Sequence, residues 1–415
     1  MVSVLIHVPR FWPAIGGAEL HSRRLAHELA RYTGVGVLTH CQQGGVSLAE
    51  GAASSRAAVI HDDLVTIHRS GAAGPTQTLL QELGKRYERR RMVRPAYAKA
   101  FRTLMASPIT RIVRRYDVVH SIYNGLTEST ELLADTARKL GKPFIWTPLA
   151  CTGERPGVAW SSKRFRRLYR QADALIALTD HEREWLIAHD APADRVHVCP
   201  FGPLLNEPSS AQSFRRRHGL GSGPVILFLG RVTRAKGFDY LVDAANDIWQ
   251  RHPGARIVFV GPQDEESRAF FRAHQDARLV TVEQVSQADK CAALQACDLL
   301  CLPSRAESLG VVYLEAWHFR KPVVALRLPV LDEVIKHNTD GLLAEHSAAS
   351  VAEAVCRLLD HPAQARAMGN AGHAKLLRKY NWSQIGRQIA DVHCATMNAL
   401  AGAGKHTAAI DTCGT

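Results

Sequence analysis

Nowhere in the 415 residues does an apolar run approach the roughly 18 to 20 residues that a membrane-spanning helix requires. The first apolar run, in MVSVLIHVPRFW, follows no cluster of positive charge and precedes no small-residue cleavage site, so it reads as a strand rather than a signal peptide. These absences predict a cytoplasmic protein. The nine cysteines, at Cys41, Cys151, Cys199, Cys291, Cys297, Cys301, Cys356, Cys394 and Cys413, include no Cys-x2-Cys pair. That usage suits a reducing compartment, with several thiols as small core residues, and argues against a structural zinc site. His181-Glu182 does not begin a zinc-protease motif, because position 185 is Trp, and the 20 histidines form no ligand-spaced cluster. A Gly-x-Ser-x-Gly elbow, zinc-finger spacing, an RNA-recognition signature and a Walker loop are all missing, which removes the support for nucleic acid as a partner.

Acid is also in short supply: 39 Asp and Glu face 52 Lys and Arg, a formal charge of +13. The imbalance is concentrated. Residues 1–205 hold 28 basic and 18 acidic side chains, an excess of +10, whereas residues 206–415 carry only +3. The first half should attract something anionic.

What the chain has in quantity is α/β patterning. Its length exceeds one ordinary core and fits two domains, and 46% hydrophobic with 22% charged residues describes a folded globular protein. In the first half VSVLIHVP, GVGVLTH, LVTIHRS, DVVHSIY, KPFIWTPL, DALIALT and RVHVCPFG read as strands, with helices over 18–31 and 127–140. In the second half GPVILFLG, ARIVFVGP, ARLVTVEQV, DLLCLPS, KPVVALR and DGLLAE are strands, with helices over 237–250 and 309–319. The expectation is two parallel-sheet α/β domains. Residues 204–222, rich in Pro, Gly, Ser and charge, read as the linker.

The densest information lies in PSRAESLGVVYLEAWHFRKPVVAL, residues 303–326. An apolar strand leads to a loop with Glu307, then to a helix with Glu315, about 12 Å further along at the helical rise. Two acids so placed can hold opposite ends of one polar ligand at the carboxyl edge of a parallel sheet, but cannot share a proton. In GRVTRAKGFDYLVDA, residues 230–244, Arg231 and Lys236 follow another strand and can project from its loop. Such cations stabilise charge on a departing diphosphate more in the transition state than before it.

Together these two stretches resemble the glycosyltransferase family four pattern, a Glu-x7-Glu segment preceded by Gly-Arg-x4-Lys-Gly. GGAELHSRRLAHELA at 16–30 resembles the family's glycine-rich turn and first helix, and the helix at Trp382-Ser383 its usual ending. The resemblance implies the GT-B fold: two Rossmann-like domains facing across a cleft, an acceptor domain over 1–203 and a donor domain over 223–381. A helix over 383–400 would pack back on the first, leaving a flexible tail over 401–415. It further implies a retaining transferase that needs no metal or other cofactor and uses a nucleotide diphosphate-sugar as co-substrate. Glu307 would bind hydroxyls of the transferred sugar and Glu315 those of the ribose. Arg231 and Lys236 would bind the diphosphate, with Ser308, Leu309 and Gly310 cradling phosphate on backbone amides. Gly16 and Gly17 would bring the first domain close to the phosphate and acceptor, and the Val285 backbone would contact the base.

The chain departs from the pattern where many relatives carry a histidine after the WTP-type strand. FIWTPLACTGERPG has Leu149 or Cys151 there, so Cys151 or His120 is the candidate on the acceptor side. The segment over 326–335 also lacks the usual Gly-Gly pair while keeping Glu333. His61-Asp62-Asp63 fits a turn better than the metal-binding Asp-x-Asp of the other glycosyltransferase fold. The basic stretches KRYERRRMVRPAYAKAFR (85–102) and SSKRFRRLYR (161–170) interleave arginines with aromatics. They suit either an anionic membrane surface, from which a lipid-linked or polysaccharide acceptor would be reached, or solvated helix faces. The missing histidine motivates one alternative, a catalytically weakened homologue serving as a binding or scaffold subunit. A nucleotide-sugar epimerase or a phosphorylase is the other, and would want different cleft acids or a cofactor lysine.

Overall fold

The computed structural model describes residues 2–14, 16–42, 46–71, 76–123, 125–153, 159–205 and 210–411. The chain divides into two compact units. One comprises Met1–Ala150, Glu154–Cys199 and Trp382–Thr415, the other Cys151–Gly153 and Pro200–Asn381.

The first unit holds strands β1 Ser3–His7, β2 Gly34–Thr39, β3 Ala58–Asp62, β4 Val65–Arg69, β5 Val118–Ile122, β6 Phe144–Thr147, β7 Ala174–Ala177 and β8 Val196–Val198. They form one sheet in the order β3-β4-β2-β1-β5-β6-β7-β8, parallel except for β3. The central strands are continuous apolar runs because helices cover both faces: all five residues of β5 and all four of β6 and β7 are buried. β3 escapes a reading by apolar runs because it is a half-exposed edge strand. It joins β4 through a hairpin at Asp63, whose φ of 56° is left-handed. Asp62 accepts from Arg23 Nε at 2.7 Å and Arg23 Nη2 at 2.8 Å, and lies 2.9 Å from His27 Nε2. The Arg23 guanidinium is the main reason its carboxyl is lowered to about 2. The adjacent acids therefore make a turn and an anchor, as their spacing predicts, and among the described residues no group of His, Cys, Asp and Glu could hold a metal.

The basic stretches are only partly the surfaces they resemble. Helices Thr76–Arg86 and Arg94–Val113 flank a 3-10 turn at Arg91–Val93, with Pro95 starting the second helix. Tyr97 and Phe101 are buried in the core, and Tyr87 hydrogen-bonds Glu128 at 2.8 Å. In the second stretch Phe165, Leu168 and Tyr169 are core residues as well. Arg164 is paired with Glu131 at 2.7 Å, and Arg166 and Arg170 with Asp190 at 2.8 and 3.0 Å. The rings of Tyr97, Phe101, Phe165 and Tyr169 face protein while Met92 does not, because a long cationic side chain can reach solvent while the ring beside it fills the core.

The second unit holds β9 Val225–Leu229, β10 Arg256–Val260, β11 Leu279–Val282, β12 Leu299–Leu302, β13 Val323–Leu326 and β14 Leu342–Ala344, all parallel, in the order β11-β10-β9-β12-β13-β14. The chain winds outward from β9 to β11, then crosses back to β12 and winds the other way. The carboxyl ends of β9 and β12 therefore flank the switch in winding direction, where open α/β sheets present a crevice.

Two expectations are corrected. The segment read as a linker, 204–222, contains the helix Ala211–Arg217, whose Phe214 is buried and whose Arg217 pairs with Asp289 at 2.6 Å; residues 206–209 lie outside the described residues. The final helix does not stop near 400. It runs Trp382–Asp411, and 412–415 lie outside the described residues. Within the first unit this helix meets Gly17–Leu29, with Ser383 Oγ donating to Glu28 at 3.2 Å.

Candidate active site

Beyond β9 the chain forms a short turn at Arg234–Lys236, passes through Gly237 and enters the helix Phe238–Asp243. Beyond β12 it runs from Pro303 to Gly310 and enters the helix Val311–His318. These loops flank the switch point and are bound to each other. Arg305 N–H donates to the Ala235 carbonyl at 2.9 Å, and its guanidinium grips both oxygens of buried Asp239 at 2.8 Å while lying 4.0 Å over the Tyr240 ring. Arg234 reaches the same Asp239 at 3.2 Å. A fork-to-carboxylate pair of this kind fixes orientation as well as distance.

Across the joint, Lys236 Nζ meets Glu307 Oε1 at 2.6 Å. The two side chains, which the sequence places 71 residues apart, form one ion pair; Lys236 keeps 25% and Glu307 only 9% of its side-chain exposure. Arg231, on the same loop as Lys236, is exposed, and among the described residues its guanidinium makes no hydrogen bond. One cation is thus paired in advance and the other is available.

Ser308, Leu309 and Gly310 do not open the helix as a continuous start over 309–319. Gly310, at φ 73°, is its N-cap, and Val311 is the first helical residue. This turn follows β12 directly in the chain. Glu315 follows on the helix and is 4% exposed. Its Oε1 accepts from Lys290 Nζ at 2.5 Å and from Leu204 N–H at 3.2 Å. Burial raises its pKa, and the Lys290 charge opposes that rise. Val285 lies half-buried in the connection after β11, one residue ahead of Ser286, which caps the helix Gln287–Ala296.

Three participants went unread in the sequence: Asp239, Arg305 and Lys290. Asp239 and Arg305 lie inside the quoted stretches 230–244 and 303–326 and Lys290 outside both, and a single charged residue carries no local mark of its distant partner.

Two family models divide the chain between them: "Glycosyl transferase 4-like domain" matches residues 16–202, and "Glycosyl transferases group 1" matches 210–375. A D-inositol 3-phosphate glycosyltransferase of Pseudarthrobacter chlorophenolicus is 31% identical over 89% of this chain and 88% of its own. This chain belongs to glycosyltransferase family four. A GDP-mannose-dependent alpha-(1-6)-phosphatidylinositol monomannoside mannosyltransferase of Mycobacterium tuberculosis is 29% identical, covering 68% of this chain and 77% of its own. Among solved structures, Anabaena HepE in complex with UDP and glucose superposes with a TM-score of 0.73 at 17% identity, over 95% of this chain and 100% of that one. Sucrose-phosphate synthase from Thermosynechococcus elongatus gives 0.72 at 20%, over 96% and 100%. These likenesses establish the GT-B fold.

The first unit of this glycosyltransferase treats its candidate residues differently. Gly16 caps the helix Gly17–Leu29 in an extended conformation, and a Cβ there would sit 2.3 Å from Glu19 Oε2. At Gly17 a Cβ would meet nothing within 4 Å, so local packing does not require that glycine. His120 is fully buried, with Nε2 at 2.8 Å from Thr147 Oγ1 and Nδ1 at 3.1 Å from His393 Nε2. Both ring nitrogens are engaged and burial holds the imidazole neutral, which makes His120 a packing group rather than one offered to an acceptor. Cys151, which groups with the second unit, stands half-exposed in the chain after β6; residues 154–158 lie outside the described residues.

The same loop turns at Leu149, whose φ is 58°, and Ala150 N–H is held at 2.6 Å by Glu182 Oε1. Glu182 also accepts from Leu178 N–H at 2.7 Å, is fully buried, and is raised by that burial to about 7. The folded state therefore binds more protons than the unfolded chain between the ordinary value of 4.5 and about 7. Stability drawn from this group falls as pH rises through that window. Denaturant unfolding of Glu182→Gln at pH 5 and pH 8 is expected to show a smaller loss between the two than the wild type; an equal loss would mean that Glu182 does not set it.

Proposed function

We propose that this glycosyltransferase takes a sugar from a nucleotide diphosphate donor, retains its anomeric configuration, needs no metal, and passes it to an acceptor in cell-surface polysaccharide or glycolipid assembly. The observation that carries the reading is the Lys236–Glu307 pair at the switch point of the second sheet, with Arg231 on the same loop. Lys236 and Arg231 stabilise the diphosphate as the glycosidic bond breaks, taking the place a divalent cation would hold. The turn ahead of Val311 adds backbone amides to the phosphate. Glu307 accepts from hydroxyls of the transferred sugar and Glu315 from those of the ribose. The acceptor attacks the face the diphosphate leaves, and the departing phosphate oxygen takes its proton, so no side-chain base is required where the family histidine is missing.

Support for a nucleotide-sugar donor comes from HepE, described in complexes with UDP-glucose and with UDP and glucose. The two relatives are named for acceptors built on inositol 3-phosphate and phosphatidylinositol. An acceptor carrying phosphate suits the +10 excess of the first half. The test is incubation with UDP-, GDP- and ADP-sugars in excess EDTA, with product configuration read by NMR. Transfer with retention supports the reading; inversion, or loss of transfer with the chelator, contradicts it.

A peripheral position on an anionic membrane belongs to the same proposal. Among the described residues no helix is long and apolar enough to cross a membrane. At the turn between helices Thr76–Arg86 and Arg94–Val113, Arg89, Arg90 and Arg91 are exposed without ion-pair partners among the described residues, beside Met92 at 93% exposure. Each such cation contributes about 1 kcal/mol near anionic headgroups. Replacing the three arginines by glutamine is expected to abolish salt-sensitive co-sedimentation with phosphatidylserine vesicles; unchanged binding would remove this surface from the account.

A further inference from the structure

We infer that Lys290 is a positioning residue for the donor site, holding the Glu315 carboxylate so that one of its oxygens stays turned to a ligand's hydroxyls. The inference rests on the proposal that a nucleotide occupies this site. Both protein donors converge on the same oxygen: Oε1 takes the Lys290 ammonium at 2.5 Å and Leu204 N–H at 3.2 Å. Among the described residues no donor reaches Oε2, yet it is not a buried orphan. A carboxylate with one oxygen saturated by a cation and an amide, and the other open, is an acceptor prepared for a hydroxyl pair.

Lys290 also donates to the Leu204 carbonyl at 3.1 Å, so its ammonium is fixed from two sides. Its helix, Gln287–Ala296, is held in turn by the Ser286 cap and by buried Cys291, Ala292 and Leu294. The helix fixes the Lys290 backbone, and the two contacts to Glu315 and Leu204 locate its ammonium. Burial alone would favour a protonated Glu315, which turns one of its oxygens into a donor. Lys290, 16% exposed, supplies the counter-charge. A plain structural brace between Lys290, Glu315 and Leu204 would share this geometry, but would not make hydroxyl recognition depend on the lysine.

Lys290→Met keeps length and removes charge; Lys290→Arg keeps charge. Calorimetry with UDP, GDP and ADP identifies the nucleotide that the wild type binds, and its 2′-deoxy form is measured beside it from pH 6 to 9. The wild type is expected to prefer the ribonucleotide at every pH. In Lys290→Met, affinity for the ribonucleotide should fall roughly 30-fold at pH 6, as breaking a buried charge pair implies. It should recover toward pH 9 as Glu315 ionises unaided, and the preference over the deoxy form should vanish at the acid end. Lys290→Arg should restore it. An unchanged preference and pH profile in Lys290→Met, with or without a lower melting temperature, would overturn the inference while leaving the donor site standing. A wild type that binds none of the three nucleotides would overturn the donor reading, and this inference with it.

Discussion

Lys236→Ala is expected to lower turnover by about 10² or more, the loss that follows removal of one preorganised stabiliser worth roughly 2.7 to 4 kcal/mol. On the proposed roles the variant loses a cation at the departing diphosphate, and it also strands Glu307, which is 9% exposed and meets Lys236 at 2.6 Å. Glu307→Ala should cost about as much, because it removes the proposed sugar contact and frees the lysine. Since the two act as one unit, the double variant should fall well short of the product of the single losses. Initial rates for the four proteins check this. A near-normal rate for either single variant, or strictly multiplicative losses, would contradict a joint role.

Gly237→Ala should damage the second unit severely for so small a substitution. Gly237 has φ 75°, and a Cβ there would stand 1.9 Å from the Pro303 carbonyl oxygen. An added methyl group must push the β9 and β12 loops apart, against the Arg305–Asp239 fork that ties them. Left-handed strain alone costs about 1 to 2 kcal/mol. With the displaced backbone the total should reach about 3 kcal/mol, a fall in melting temperature of about 6 to 12 °C for a unit of this size. Gly219→Ala is the control: its φ is 61°, but a Cβ would meet nothing within 4 Å, so only the strain remains. Calorimetric melting of both variants separates the terms, and equal losses would mean that the close approach to Pro303 does not matter.

The parallel strands are legible in the sequence because buried strands are unbroken apolar runs, as in VILFL of β9 and LLCL of β12. β3 is not, because an edge strand exposes alternate residues, and the burial of Tyr97 and Phe101 is hidden because an arginine-rich helix buries its rings while its cations reach solvent. Of the candidate site, Arg231, Lys236, Glu307 and Glu315 are singled out by spacing that matches a family pattern. Their pairing is not. Lys236 with Glu307, and Lys290 with Glu315, are tertiary contacts 71 and 25 residues apart, and neither follows from periodicity. His120 was chosen for its place at the end of a strand. The structure spends both of its nitrogens on Thr147 and His393, the latter contributed by the returning final helix.

The most direct test of the central claim is calorimetric binding of UDP, GDP and ADP in excess EDTA to the wild type and to a variant carrying both Arg231→Ala and Lys236→Ala. The account predicts that one nucleoside diphosphate binds the wild type with the chelator present and binds the variant at least about 100-fold more weakly. Equal affinity in the variant, or a wild type whose binding disappears with EDTA, would contradict it.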